Sequence, residues 1–352
     1  MDNLVLYQNW EQEDARLVED RQTVFPGPDK HSQGKFWEQI PLMKAQEADR
    51  LLECSIEQHR SGEFDAALQS FQLALDLYRE LSDQRGIGKA IGGVGLAYYA
   101  LGNFPKAIAS SEQSLAIAQS LKDWRLESQA LGNLGNSYRH LGDHAKAIEY
   151  QQQSLTLARE FQDRQGEVAA LNNLGLAYKV LGDYLKAIEY QQQSLQVAQE
   201  LGDSQTQGQI LRNLGNAFYA RGDYAQAIEY YEQRMAIARD LQEHRVEVQI
   251  LRNLGNACYA LGDYAKAIGY SEQRLAIARN LGDRRSEEQA LGNLGVACDA
   301  LSNYAQAIQY YEQRVAVARL LQDRRVEEQA LGSLKVACYA LGDYAKVMEY
   351  SG

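Results

Sequence analysis

Residues 131–170 read LGNLGNSYRHLGDHAKAIEYQQQSLTLAREFQDRQGEVAA, and residues 171–210 repeat the pattern as LNNLGLAYKVLGDYLKAIEYQQQSLQVAQELGDSQTQGQI. This period of 40 continues without a gap over residues 51–352, in seven full rows and an eighth row of 22 residues. A fixed period of this length indicates one supersecondary unit stacked on copies of itself, because so small a unit cannot bury its apolar face alone. The rows begin at Leu51, Ile91, Leu131, Leu171, Leu211, Leu251, Leu291 and Leu331.

Each row has the pattern of two amphipathic helices. Leu131, Leu134 and Tyr138 follow one another at three- and four-residue steps, which places them on one face of a first helix. Gly142 breaks this helix, and Asp143 can accept hydrogen bonds from the free N–H groups of a second helix. Two helices of about 16 residues and two short turns fill the period, so we predict an all-α solenoid of antiparallel helix pairs. The predicted caps are Asn103, Asp143, Asp183, Asp223, Asp263, Asn303 and Asp343 for second helices, and Asp123, Asp163, Asp203, Asp283 and Asp323 for first helices.

Residues that occupy the same place in successive rows form a column, and two columns consist of small residues. A glycine in mid-helix costs about 1 kcal/mol against alanine, so its recurrence indicates close packing. We predict that the glycine column faces the alanine column of the second helix. In the last row both change, to Lys335 and Val347, as expected of a frayed terminal repeat. The two columns are Gly95, Gly135, Gly175, Gly215, Gly255 and Gly295, and Ala107, Ala147, Ala187, Ala227, Ala267 and Ala307.

Composition and charge exclude several functional classes. The chain is 45% hydrophobic and 24% charged with four prolines, which is typical of a helical array. A formal net charge of −11 argues against nucleic-acid binding, because an acidic surface repels phosphates. The sequence has no apolar run of about 18 residues that could span a membrane. Residues 1–7 lack the basic region of a secretory signal, so we predict a cytoplasmic protein.

The cysteines do not form a disulfide framework. Cys258, Cys298 and Cys338 occupy one column, so neighbouring cysteines should lie a helix pair apart, beyond the Cα separation of about 7 Å that a disulfide tolerates. We predict that they are small buried hydrophobic residues. Elsewhere no nucleophile, base and orienting group come together, and Gly142 and Asp143 separate the nearest histidine pair. We therefore predict no enzymatic activity, no cofactor and no metal.

The row pattern Asn-Leu-Gly-Asn-x-Tyr-x-x-Leu-Gly-Asp-Tyr-x-x-Ala-Ile-x-Tyr resembles the tetratricopeptide repeat, and the resemblance covers Met43–Tyr350. The 40-residue unit is similar to that of the Pins/LGN spindle adaptors and, more distantly, to kinesin light chain. The residues from Glu47 to Phe71 resemble the start of bacterial repeat arrays, some of which precede a caspase-like peptidase domain. The resemblance implies a right-handed superhelix whose concave face is lined by the first helices.

One column departs from the family pattern. Arg234, Arg274 and Arg314 lie on second helices where the family usually has a small residue. We expect these helices to pack more openly, with each guanidinium reaching water.

Residues that face outward on the first helices are candidates for a peptide-binding groove. Asparagine can bond the backbone amides of a peptide, arginine pairs with carboxylates, and tyrosine supplies rigid contact area. In the resembling adaptors, matching asparagine and arginine positions hold an extended partner peptide. The alternative is that the first asparagine of each row bonds a neighbouring repeat and orders the stack. The candidates are Gln209, Arg212, Asn213, Asn216, Tyr219, Gln249, Arg252, Asn253, Asn256 and Tyr259, together with Asn133, Asn136 and Arg139.

The first 42 residues differ from the array at 43–352. Scattered prolines and the lack of periodicity predict an extended or disordered leader over 1–42. Within it, residues 9–14 place a tryptophan before three acids, which suggests a ligand for the groove near Arg212 and Arg252. The alternative is an untethered, solvated tail.

The sequence thus predicts a non-enzymatic scaffold that binds a peptide or helix of another protein along its concave groove. A second hypothesis is a regulatory or sensor subunit that controls a separately encoded enzyme, for example a caspase-like peptidase. A third is self-association through the C-terminal repeat.

Overall fold

The structure is a computed structural model that describes residues 33–350, and within that range it contains α-helices and no strand. The helices divide between two compact units, Met1–Asp203 and Ser204–Gly352. The first unit contains α1 (Gln33–Arg60), α2 (Phe64–Glu80), α3 (Gln84–Ala100), α4 (Phe104–Leu121), α5 (Trp124–Leu141), α6 (His144–Glu160), α7 (Arg164–Val180) and α8 (Tyr184–Glu200). The second contains α9 (Ser204–Arg221), α10 (Tyr224–Asp240), α11 (His244–Leu261), α12 (Tyr264–Asn280), α13 (Arg284–Ala300), α14 (Tyr304–Leu320), α15 (Arg324–Leu341) and α16 (Tyr344–Glu349).

Within each unit, every helix packs against the helix before it and the helix after it along the chain. The predicted all-α array of antiparallel helix pairs is confirmed. From α2 to α15 the helices have 17 or 18 residues, slightly more than expected. Leucines of the first helices, such as Leu254 and Leu294, are 0–1% exposed. The apolar stripes thus form a core that runs through the stacked pairs of each unit.

Side-chain caps define the ends of the pairs. Asp143 Oδ1 accepts a hydrogen bond from Lys146 N at 3.1 Å, and Asp163 Oδ1 accepts one from Gly166 N at 2.9 Å. Gly142, just before the first of these caps, has a φ of +93°, a left-handed conformation that glycine adopts without strain. The predicted capping role is confirmed for Asn103, Asp123, Asp143, Asp163, Asp183, Asp223, Asp263, Asp283, Asn303, Asp323 and Asp343, and for Asp203 it stays a prediction.

The array begins earlier than the sequence predicted. Residues 33–42, placed in an extended leader, form the first turns of α1 instead. The prediction relied on scattered prolines and the lack of periodicity. One of these prolines, Pro41, lacks the N–H of a helical hydrogen bond, but α1 continues through this residue. Farther along α1, Ala48 and Leu52 lie in the core, so packing holds the helix despite the lost bond. The tryptophan and acids of residues 9–14 lie outside the described residues.

The glycine column makes room for a different residue from the one predicted. A Cβ on Gly215 would lie 2.4 Å from Cε1 of Tyr231, sixteen residues later on the second helix. A Cβ on Gly255 would lie 3.3 Å from Oγ of Ser271, the corresponding residue of the next row, and 3.7 Å from the carbonyl oxygen of Ala267. The alanine column is buried but does not fill the space above the glycines. The side chain sixteen residues after each glycine therefore decides how closely the two helices of a pair approach each other.

The prediction for the cysteine column is confirmed. Cys258, Cys298 and Cys338 are fully buried and unpaired, whereas Cys54 is exposed. Burial raises the pKa of the Cys258 thiol to about 11, so this thiol stays protonated at neutral pH. The last helix described, α16, has six residues, and the fraying of the last row stays a prediction.

A matched pair of glycine substitutions tests this packing. Gly215→Ala should lower the free energy of unfolding by about 1–3 kcal/mol, because the new methyl group overlaps the buried Tyr231 ring. Gly255→Ala faces only the small Ser271 hydroxyl and should stay within about 1 kcal/mol of wild type, because its gain in helix propensity offsets the contact. Urea unfolding followed by circular dichroism measures both. Equal decreases in the free energy of unfolding for the two variants would contradict this explanation of the packing.

Candidate functional site

A cavity of about 200 Å³ lies in the second unit, between first helices α9, α11 and α13 and second helix α12. We call the surface formed by exposed side chains of α9, α11 and α13 the first-helix surface of the second unit. Three residues predicted from the sequence line the cavity, namely Tyr219, Asn256 and Tyr259. The other lining residues are Gly255, Ala260, Ala267, Ser271, Asn293, Val296 and Ala297.

In the second unit the column sixteen residues after the glycines reads Tyr231, Ser271 and Tyr311, and the cavity lies at the serine. Tyr231 and Tyr311 fill the space beside their glycines, and each hydroxyl donates a 2.7 Å hydrogen bond, to Asn216 and Asp299 respectively. Between them in the same column stands Ser271, whose Oγ would lie 3.3 Å from a Cβ on Gly255, and the cavity lies beside this small side chain. Sequence reasoning missed this site, although the signal was present as Tyr, Ser and Tyr in three successive rows.

Aromatic rings form one rim of the cavity. Tyr219 packs edge-on against Tyr224 with ring centroids 5.2 Å apart, and Tyr259 packs against Tyr264 at 5.1 Å. The side chains of Tyr219 and Tyr259 are nevertheless 37% and 40% exposed. Each ring is thus held in place by its neighbour and still offers a face to a ligand.

The structure corrects the prediction for several candidates. Asn136 and Asn213 were expected to face outward but are only 6% and 7% exposed. Asn136 Oδ1 accepts a hydrogen bond from Gln151 Nε2 at 3.5 Å, so this asparagine serves the interior of its own pair. Asn216 Oδ1 is the acceptor for the Tyr231 hydroxyl and is half-buried. Asn136 and Asn216 therefore bond polar side chains of the second helices of their own pairs.

The other candidates keep some exposure. Gln249, Arg252 and Asn256 are exposed, and Gln209, Arg212, Asn253, Asn133 and Arg139 are half-buried. Asn293 Nδ2 donates to Asn256 Oδ1 across neighbouring rows at 3.3 Å. This contact supports the alternative that the asparagine column orders the stack, although it joins two side chains and not a side chain and a backbone. Asn133, Asn136 and Arg139 belong to the first unit and do not line the cavity.

Two of the three arginines in the column, Arg234 and Arg274, are buried, contrary to the prediction that the guanidinium groups reach water, and Arg314 is half-buried. Arg234 is 7% exposed and Arg274 is 2% exposed. The pKa of each group is lowered to about 10, mainly because burial disfavours the charged form. A nearby positive charge lowers it further, from Arg212 for Arg234 and from Arg252 for Arg274. The glycine-lined helix pairs enclose these long side chains, so little of either one reaches the surface.

The three arginines differ in their partners. Arg314 Nε donates to the buried Glu288 Oε1 at 2.7 Å, in an ion pair within one helix pair. Arg274 Nη2 donates to Gln289 Oε1 at 2.8 Å, but its Nε and Nη1 are buried without a hydrogen-bond partner. Arg234 Nη1 is also buried without a partner. A buried donor without a partner is costly, so these two guanidinium groups are unusual features of the second unit.

Residues 33–350, the part of the chain that the structure describes, contain neither a metal-binding cluster nor a membrane-spanning helix. In this range no three His, Cys, Asp or Glu side chains lie close enough to hold a metal ion. None of the helices described combines the length and apolar character needed to cross a membrane.

Stacked antiparallel helix pairs with a fixed 40-residue period define the class as an α-solenoid repeat protein. The tetratricopeptide repeat family matches residues 54–120, 86–160, 166–240 and 247–320, and the chain belongs to this family. The resemblance found in the sequence is therefore confirmed. No curated protein matches the chain in sequence.

Several solved structures share this fold. BtubC (BKLC) from P. vanneervenii superposes with a TM-score of 0.54 at 22% identity, over 69% of this chain and 92% of that protein. The quorum sensor NprR from B. thuringiensis gives 0.58 at 14% identity, over 99% and 94%. A signal transduction ATPase with a tetratricopeptide repeat sensor from Pyrococcus horikoshii gives 0.64 at 17% identity, over 87% of this chain and 53% of that one. At these identities the likeness concerns the fold.

The ion pair of Arg314 can be tested by restoring a pair that the chain uses elsewhere. Glu288→Val alone should lower the free energy of unfolding by about 3 kcal/mol, because it leaves the Arg314 guanidinium without its buried carboxylate. Adding Arg314→Ser should recover most of the loss, since the first unit carries this combination and Ser194 Oγ donates to the Val168 carbonyl at 3.0 Å. Urea denaturation of both variants is the measurement. If the double variant is no more stable than the single one, the pair is not the source of the loss.

Proposed function

We propose that the chain is a protein-interaction scaffold, and that the first-helix surface of its second unit binds an extended segment of another protein. An aromatic side chain of that segment enters the cavity beside Ser271. The observation that carries the proposal is the cavity itself, which replaces a tyrosine ring present in the neighbouring rows.

The shape of the cavity supports an aromatic occupant. Tyr231 and Tyr311 occupy the equivalent space in their own rows, so the packing of this fold accommodates a phenol ring at this place. The exposed faces of Tyr219 and Tyr259 offer contacts to a second ring, with an energy of about 0.5–1.5 kcal/mol beyond area burial. Small floor residues such as Gly255 let the ring approach the backbone closely.

Polar residues around the cavity support a peptide as the bearer of that ring. The amide groups of Asn256 and Asn293 lie at the cavity and can both donate to and accept from a peptide backbone. Gln249 and Arg252 continue along α11 as exposed polar side chains. A segment in extended conformation would meet an apolar anchor and backbone-binding amides on one surface. The narrower roles of a regulatory subunit or a self-associating module stay predictions.

The proposal is tested by replacing Ser271 with tyrosine, whose ring would fill the cavity. Peptides that bind the full chain are selected from a random peptide library, and their dissociation constants are measured for wild type and for Ser271→Tyr. We expect selected peptides to contain an aromatic residue, and the variant to bind them at least about 10-fold more weakly, because burying a large side chain is worth about 1.5–3 kcal/mol.

Two controls accompany this experiment. Ser271→Ala leaves the cavity open and should keep the wild-type affinity. Ser271→Tyr should fold normally, because the same column carries Tyr231 and Tyr311, and thermal unfolding checks this. Full affinity in a folded Ser271→Tyr protein would overturn the proposal.

A further inference from the structure

The three arginines of the column differ in whether the first helix of their pair places a carboxylate beside them. The residue 26 positions before each arginine lies on the first helix of the same pair. For Arg314 it is Glu288, whose carboxylate is 3% exposed and pairs with the guanidinium. For Arg274 it is Val248, and for Arg234 it is Gly208. The chain therefore provides the anionic partner once and omits it twice.

Because Gly208 has no side chain, the position that a glutamate would fill is empty, and the nearby Arg234 guanidinium lacks a carboxylate from this position. A Cβ on Gly208 would meet only Cγ2 of Ile237, at 3.9 Å, so the space that a side chain would take is open. Gly208 is half-buried and thus still reaches the surface of α9. At the equivalent place in its own row, the Glu288 side chain approaches Arg314. A carboxylate from outside can therefore approach Arg234 by the route that an internal glutamate would use.

The charge around Arg234 favours an anion there. Its Nη1 donor is buried without a partner, and Arg212 adds a second positive charge from α9 that outweighs the negative charge of Glu243. An oxyanion would supply the missing acceptor and offset the repulsion between the two guanidinium groups. The net charge of the chain is −11, so this is a local basic site on an acidic protein.

We propose that Arg234, with Arg212 and the open space above Gly208, is a binding site for a carboxylate carried by an acidic segment of the partner polypeptide. The proposal rests on the proposed function, whose partner it narrows to segments that contain aspartate or glutamate. The partner's carboxylate takes the role that Glu288 has beside Arg314, as a buried hydrogen-bonding anion. A carboxylate is favoured over a phosphate because the one filled copy of this site holds a single carboxylate.

The first test supplies the missing carboxylate from the chain itself. Gly208→Glu reproduces the Glu288–Arg314 arrangement at Arg234, and Gly208→Gln has nearly the same shape without the charge. The probe is hexaglutamate with blocked termini, titrated by calorimetry into the full chain at low salt. Gly208→Gln should bind it more weakly than wild type, because its side chain fills the same space, and Gly208→Glu should bind it more weakly still, at least about 10-fold below wild type. Gly208→Glu should also have a higher Tm than Gly208→Gln, because it satisfies the buried guanidinium.

The second test removes the arginine. Arg234→Ser introduces the residue found at the same place in earlier rows, as Ser114, Ser154 and Ser194, so the variant should fold normally. It should weaken hexaglutamate binding at least about 10-fold. Arg245→Ser changes the net charge equally at an exposed position of α11 and should leave the affinity within about 2-fold.

Several outcomes would overturn the carboxylate site. These are no binding of hexaglutamate to wild type, equal affinity in Gly208→Glu, or equal losses in Arg234→Ser and Arg245→Ser. Binding of hexaglutamine as tightly as hexaglutamate would also overturn it, as would displacement of hexaglutamate by equimolar inorganic phosphate. Ser271→Tyr separates the two proposals, because it should spare hexaglutamate while weakening the selected aromatic peptides. A failure confined to those peptides would refute the aromatic anchor and leave the carboxylate site standing.

Discussion

Each helix pair of this chain can bury its apolar stripe only against the next pair, and the closeness of the two helices within a pair depends on one contact. The contact joins a mid-helix glycine to the side chain sixteen residues later, as between Gly215 and Tyr231. With no Cβ on the first helix, the second helix can insert a ring, an amide or a hydroxyl at this point. The repeat keeps the glycine and varies its partner, so the backbone stays regular while the interior changes from row to row.

The candidate site arises from that variation. Where the column has Ser271 in place of a tyrosine, the regular backbone does not collapse, and a cavity of about 200 Å³ opens between tyrosine-bearing rows. The same logic applies to Gly208, where the missing glutamate leaves space near a guanidinium that the rest of the row encloses.

Buried charge marks the second unit. An arginine enclosed by helices is stable only if its donors are satisfied, and the pair of Arg314 and Glu288 shows how this chain does so. Arg234 and Arg274 lie in equivalent places with donors left over. A scaffold that binds acidic segments gains from such groups, because a charge already removed from water forms a stronger bond with its ligand than an exposed one. The unbound protein carries the cost of the unpaired donors.

The sequence by itself determined the helix pairs, their caps and the burial of Cys258, since these follow from a 40-residue period and from side chains that act within one row. It also placed Tyr219, Asn256 and Tyr259 at the candidate site. It was wrong about Asn136, Arg234 and Arg274, because exposure depends on which side chains of the neighbouring helix reach a position, and periodicity carries no such information. Only the tertiary structure showed that a cavity lies at Ser271, between two rows that carry tyrosine, and that Arg234 has a buried donor without a partner, because both are relations between residues of different helices.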